Sequence, residues 1–229
     1  PSFASFVGRY PIPVRYGLTI GETATLFNRE FGIGCALRVV EMGGWERQQY
    51  WEDTALAWVP PSPNMPTVDT AVVYPGMCLF EGTNLSEGRG TSKPFEQVGA
   101  PYLKSDRLVE RMRALELPGL KWRPVHFRPE FGKYRGRECH GVQLHVVDRD
   151  TFSPVRAGLE LLVAVKGLWP TEFAWHLPTS GIHNFDRLMG TDGVRAALDA
   201  ELPVSELELE WGADCDRFRS LCSPYRIYS

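Results

Sequence analysis

The chain has 229 residues, with 25 basic against 28 acidic side chains and a net charge of -3. That balance carries no electrostatic footprint for nucleic acid, and no run approaches the ~18 apolar residues that read as a bilayer span. At 43% hydrophobic and 23% charged residues, the composition is that of an ordinary globular protein with enough chain to bury a full core.

In chain order, Thr19 and Glu22 make a capping box that opens a helix over 19–31, with Ile20, Thr23, Ala24 and Phe27 on one face. Residues 37–42 read as a strand ending in the Gly43-Gly44 turn. Trp45, Trp51 and Trp58 follow closely, and either wall a sugar site or plug the core beneath a loop. A short helix over 67–74 is stopped by Pro75-Gly76, and the stretch after it reads as loop as far as Pro101. Ser105 caps a helix running to residue 117, with Leu108, Met112 and Leu115 inward. Strands are predicted over 122–127 and 142–147. Pro154 after Ser153 starts a mostly buried helix to residue 168. Helices over 184–189, 192–200 and 205–222 complete the chain. This order lacks the βαβ rhythm of a doubly wound sheet, so it predicts a single compact domain, α+β or mixed α/β and not Rossmann-like.

The richest stretch is 61–101, which sets Asn64, Asn84, Ser86, Arg89, Thr91 and Lys93 among glycines and prolines, with Glu81, Glu87 and Glu96 between them. Such loops are where rigid scaffolds carry binding or catalysis. It is not a phosphate cradle: Gly82 and Gly88 enclose five residues and Arg89 follows, where a Walker loop needs four and then Lys. Nor does the chain show metal-ligand spacing. His126, Cys139, His140 and His145 include no paired motif, and His140 and His145 fall on opposite faces of a strand, so isolated histidines are expected. Five scattered cysteines, Cys35, Cys78, Cys139, Cys215 and Cys222, read as buried thiols and not as a disulfide framework.

Several strings in the chain, "GRYPIPVRYGLTIGETATLFN", "WVPPSPNMPTVDTAVVYPGMCLFEGTNLSEGRGTSKPFEQVGAP", "CHGVQLHVVDRDTFSPVRAGLELL", "FDRLMG" and "FRSLCSPYRIYS", occur in the order found in one bacterial family. By these motifs the chain resembles the exo-β-N-acetylmuramidases of the NamZ type, formerly a domain of unknown function, in their C-terminal portion. Members of that family open with a Rossmann-like domain whose Ser-Pro-Glu-His-Gly motif carries a catalytic glutamate, and no such string occurs here. The resemblance therefore implies a missing N-terminal Rossmann-like domain, with 1–17 a connecting segment and 18–229 the C-terminal domain. Phe6, Tyr10, Ile12 and Tyr16 would then have packed against the absent part.

The function implied is a share in a glycoside hydrolase that releases terminal N-acetylmuramic acid from peptidoglycan, this chain lining the cleft. The alternative is a non-catalytic carbohydrate-binding or interaction domain. Neither needs a cofactor or metal, the partner is a peptidoglycan-derived saccharide, and the location implied is extracytoplasmic. Glycoside hydrolysis uses paired carboxylates, which makes Glu81 the first candidate for a direct role and Glu87 and Glu96 lesser ones, while each of the three reads equally as an anchor for its loop. Arg89 matches the sugar's lactyl carboxylate in bidentate fashion, or else braces the loop by pairing with Glu87 or Glu81. Asn64, Tyr74, Glu81, Asn84, Ser86, Glu87 and Thr91 are, with Arg89, the substrate-binding candidates. Lys133, Tyr134 and Arg135 either face the same cleft or form a surface turn.

Overall fold

The computed structural model describes residues 3–5 and 8–229. Among them are seven α-helices: α1 (Ile20–Glu30), α2 (Val68–Met77), α3 (Ser105–Arg113), α4 (Pro154–Leu168), α5 (Asn184–Met189), α6 (Gly193–Asp199) and α7 (Val204–Cys222). Three strands, β1 (Gln97–Ala100), β2 (Leu120–Phe127) and β3 (Cys139–Val146), form one antiparallel sheet in the order β1-β3-β2. The mixed α/β expectation is met. The chain gathers into two compact units, one of residues 1–11 and 59–207 and a smaller one of 12–58 and 208–229.

In the larger unit the sheet is built around β3, which sets Val98 opposite Val142 and Trp122 opposite Leu144. Helix α3 packs on β2 and β3, and α2 packs on α4. Leu108, Met112, Val142, Leu159, Leu161 and Val165 are buried in this core. Helix α2 does not stop at Pro75-Gly76 but runs to Met77, followed by a 3₁₀ turn at Cys78–Gly82. The reason is packing. A Cβ on Gly76 would lie 1.7 Å from the Pro154 carbonyl oxygen, and one on Gly158 would lie 2.4 Å from the Gly76 oxygen. Gly76 is thus where two helices touch backbone to backbone, and the dipeptide that reads as a stop signal is a crossing point.

Two further local expectations are corrected. Ser105 is not the cap of α3; Lys104 holds that position, and the Ser105 hydroxyl donates to the Val125 carbonyl (3.1 Å) while accepting from the Gly141 N–H (2.9 Å). It pins the helix to the sheet. β1 lies inside the stretch read as loop, because its four buried residues show no apolar alternation.

In the smaller unit, Leu26, Phe218 and Cys222 form the core, with Ile12, Leu18, Phe27 and Tyr225 packed around them. Ile12 therefore has a partner within this chain. Tyr16 is exposed, and Phe6 lies outside the described residues. Residues 37–42 form no strand: Leu37, Val40 and Met42 are exposed and no neighbouring strand completes a ladder. Nor do the tryptophans plug a core. Trp45 meets Tyr228 edge-on at 5.0 Å and Trp51 meets Trp58 at 5.3 Å, all three indoles partly or largely exposed. The capping box of α1 is present, with the Glu22 carboxylate accepting from Thr19 N–H at 2.8 Å.

Candidate functional site

The loop from residue 83 to 96 is fixed at both ends by main-chain bonds. Ser86 and Gly99 exchange N–H···O bonds of 2.8 and 3.0 Å, and Phe95 N–H donates to the Glu87 carbonyl at 2.7 Å. Gly88 and Gly90 have φ of +78° and +80°, the left-handed region where glycine is favoured. What comes close to them is the protein's own backbone: a Cβ on Gly90 would meet Phe131 O at 2.6 Å, and one on Gly88 would meet Lys93 O at 2.8 Å. The glycines thus make room for this chain's own backbone, and they leave Arg89 projecting between them.

The Arg89 guanidinium donates from Nη2 to Glu81 Oε1 at 2.9 Å, with its Nε 3.7 Å from Glu87 Oε1. It also lies over the Phe95 ring, 5.2 Å from its centre, and Tyr74 meets the same ring edge-on at 4.8 Å. Phe95 is fully buried with φ of +61°. A bulky side chain in that region carries strain of ~1–3 kcal/mol, a feature that concentrates at functional sites. Neither Phe95's backbone nor its place under Arg89 is legible in the sequence, since no pattern marks it.

The three acids separate clearly. Glu96 is buried and accepts from the Thr70 hydroxyl (2.7 Å) and Thr67 hydroxyl (3.3 Å), with Lys93 at 2.9 Å. Glu87 is buried against Lys133, whose ammonium donates to Glu87 Oε2 (3.0 Å) and to the carbonyls of Phe80 (2.8 Å) and Leu85 (2.9 Å). Both are loop anchors with their oxygens committed. Glu81 keeps 28% of its side chain in solvent and Arg89 36%, so this pair faces outward. Burial raises the Glu81 carboxyl above its ordinary value, Arg89 opposes that, and the neighbouring Glu87 charge adds to it. Burial, reinforced by Glu81, likewise pushes the Cys78 thiol up to about 12, which makes it inert. Tyr74 is also raised, first by burial.

The remaining candidates are used differently. Asn84 donates to Glu172 O (2.7 Å) and accepts from Ala174 N–H (3.1 Å) and the Tyr102 hydroxyl (3.2 Å). The Ser86 hydroxyl accepts from Gly88 N–H, and Thr91 donates to Gly88 O (2.6 Å) while accepting from Lys93 N–H and Gln97 Nε2. These three hold the loop's shape. Asn64 lies in the turn ahead of α2, its N–H on the Ser62 hydroxyl at 3.2 Å. Of the second cluster, Lys133 joins the site through Glu87, Tyr134 lies under Arg137 at 5.5 Å, and Arg135 is exposed. Phe131, missed at the sequence level, is half exposed, and its backbone lies against Gly90 where Glu130 N–H donates to Gly90 O at 2.8 Å. The one available signal was an aromatic residue set in a polar run before Gly132.

The mixed α/β scaffold that carries this loop belongs to a known structural class. Its fold is shared with two crystallised DUF1343 family proteins of Bacteroides fragilis NCTC 9343. One superposes with a TM-score of 0.90 at 30% identity and the other with 0.76 at 26%, each over 100% of this chain and 60% of its own. The chain belongs to the exo-β-N-acetylmuramidase NamZ family, whose C-terminal model matches residues 72–228 and whose N-terminal model matches residues 1–69. The peptidoglycan β-N-acetylmuramidase NamZ of Bacillus subtilis (strain 168) is 46% identical over 228 residues, which is all of this chain and 54% of that protein. The chain thus spans about half the length of the curated relative it matches. The expectation of a C-terminal portion alone is corrected, since the first 69 residues match the N-terminal model. The string GRYPIPVRYGLTIGETATLFN, read as the entry to the C-terminal part, lies at residues 8–28, within the stretch that the N-terminal model matches.

Proposed function

We propose that this chain is part of a peptidoglycan-degrading exo-β-N-acetylmuramidase and lines the cleft that holds the terminal N-acetylmuramic acid. Membership of the NamZ family supports the reaction class, and the observation that carries the residue assignment is the outward-facing Glu81–Arg89 pair. In this reading Arg89 reads the lactyl carboxylate that distinguishes N-acetylmuramic acid from N-acetylglucosamine. Glu81 and Glu87 hold the guanidinium in orientation, while its Nη1 hydrogens remain outside those two pairs. Tyr74 and Phe131 frame the sugar, and Glu81, with its raised carboxyl, is the acid of this chain placed to exchange a proton. The general acid of the Ser-Pro-Glu-His-Gly motif is supplied by polypeptide other than these 229 residues, which do not contain that string. The chemistry asks for no cofactor, and its substrate lies outside the cytoplasmic membrane. Among the described residues no helix is long and apolar enough to cross one.

A charge-assisted bond of this kind is worth ~1.5–3 kcal/mol, roughly ten- to over a hundredfold in affinity. In the complete enzyme, the ratio of kcat/KM for N-acetylmuraminide over N-acetylglucosaminide substrates should fall from wild type to Arg89→Lys to Arg89→Ala. Lysine keeps the charge but loses the planar fork. An equal loss on both sugars would make Arg89 a brace for the loop and remove it from recognition.

A further inference from the structure

The histidines that look isolated in the sequence are brought together by strand register. His126 on β2 is the direct cross-strand partner of His140 on β3, and their rings stand 4.5 Å apart between centres. Glu138, the residue before β3, places its carboxylate 3.8 Å from His126 Nδ1. One ligand atom from each of the three lies within 4.8 Å of the others. The expectation of isolated histidines is therefore overturned. Cross-strand partners project on the same face, so two imidazoles separated by thirteen residues of chain stand side by side.

We propose that His126, Glu138 and His140 form a binding site for a first-row divalent transition metal, with zinc(II) the probe of choice. Two imidazoles and a carboxylate are a common zinc donor set, with a fourth position left to water. Tetrahedral ligands at ~2.0–2.1 Å from a shared zinc stand about 3.4 Å apart, so atoms that lie up to 4.8 Å apart close by at most about 1.4 Å through side-chain rotation. All three keep solvent access, His126 and Glu138 being more than half exposed, so an ion can enter and the rotamers can adjust. Cys139, between Glu138 and His140, takes no part. It is fully buried on the other side of the strand, its thiol pushed up to about 11 by burial.

The position gives the site a role. It closes the neck of the 128–138 loop, where β2 ends and β3 begins. That loop delivers Lys133 to Glu87 and lays Glu130 and Phe131 against Gly90. A metal at the neck clips the loop in the conformation that frames Arg89, as a short cross-link would, without touching the reacting groups.

Isothermal calorimetry of the metal-free 229-residue chain with zinc chloride should show saturable binding of about one equivalent in the micromolar range. His126→Ala and His140→Ala should each weaken it roughly tenfold or more, Glu138→Gln should weaken it by a similar or smaller factor, and Cys35→Ser should leave it unchanged. Zinc should also slow amide exchange in residues 128–138 of the wild type and not of the double variant His126→Ala/His140→Ala. Because the side chains concerned are exposed, circular dichroism of each variant should match the wild type. The proposal is overturned by the absence of saturable heat up to millimolar zinc. It is equally overturned if the folded double variant keeps wild-type affinity, since the metal would then bind elsewhere.

Discussion

In the proposed reading Glu81 is the residue on which the chemistry of the loop turns, and its proton is measurable. Its carboxyl is raised first by burial, with Arg89 pulling it down and Glu87 pushing it up. A ¹³C NMR titration should therefore find it above 4.5 in the wild type, higher still in Arg89→Ala, and lower in Glu87→Gln. The sign for stability follows. A folded carboxyl that holds its proton more tightly than the unfolded one makes the protein lose stability as pH rises from 4.5 through the raised value. Denaturant unfolding over a pH series should show that decline, and Glu81→Gln should flatten it. A Glu81 that titrates below 4.5 in the wild type would mean Arg89 outweighs burial, and the proton-exchanging role would go. Glu87 and Glu96 were equally prominent in the sequence, and nothing in their spacing showed that Lys133 and the Thr67–Thr70 pair would occupy them. A buried acid and an exposed one look alike until the chain folds.

Among the elements, α1 shows how a local signal can carry a long-range load. Its capping box was legible because Thr19 and Glu22 have the required spacing. The Glu22 carboxylate, fully buried, also accepts from Arg47 Nη2 at 2.6 Å and from Ile227 N–H at 2.7 Å, joining α1 to the far end of the chain. Burial works against that charge, but Arg47 and the N–H groups of Thr19, Ile227 and Tyr228 outweigh it and take the carboxyl from 4.5 to about 2. A depressed carboxyl contributes stability that is fully present above 4.5 and is lost as pH falls toward 2, here about 3 kcal/mol. Urea unfolding from pH 7 down to 2 should show the loss. Glu22→Gln should be less stable at neutral pH by about 1–3 kcal/mol and should lack that part of the acid dependence. An unchanged acid profile in the variant would assign the acid lability to other carboxylates.

At the scale of the whole molecule, both family models are represented in 229 residues, yet the chain spans 54% of its Bacillus subtilis relative. The division of labour proposed above makes a direct prediction. The purified 229-residue chain should not turn over a chromogenic N-acetylmuraminide above the uncatalysed rate, because general acid catalysis needs a positioned donor that the proposal puts elsewhere. Measurable turnover by pure chain, abolished in Glu81→Gln, would move the acid role onto Glu81. Binding of the sugar without turnover in the complete enzyme as well would favour the carbohydrate-binding reading.

The amino-acid sequence alone determined the mixed α/β class, helices α1, α4, α5, α6 and α7 nearly to their ends, the β2 and β3 strands, and the family. These rest on local physics: apolar periodicity, caps, Pro154 at a helix start, and ordered motifs within short windows. The tertiary structure decided everything that depends on a partner distant in sequence. Residues 37–42 are a short apolar-rich run ending at a Gly-Gly turn but find no neighbour, while β1 has no alternation and is a strand because β3 lies beside it. Gly76 reads as a stop and serves as a contact because α4 crosses there. His126 and His140 become a pair, and Glu81 alone among three acids stays open to solvent, because burial and register are properties of the folded chain that no window of sequence contains.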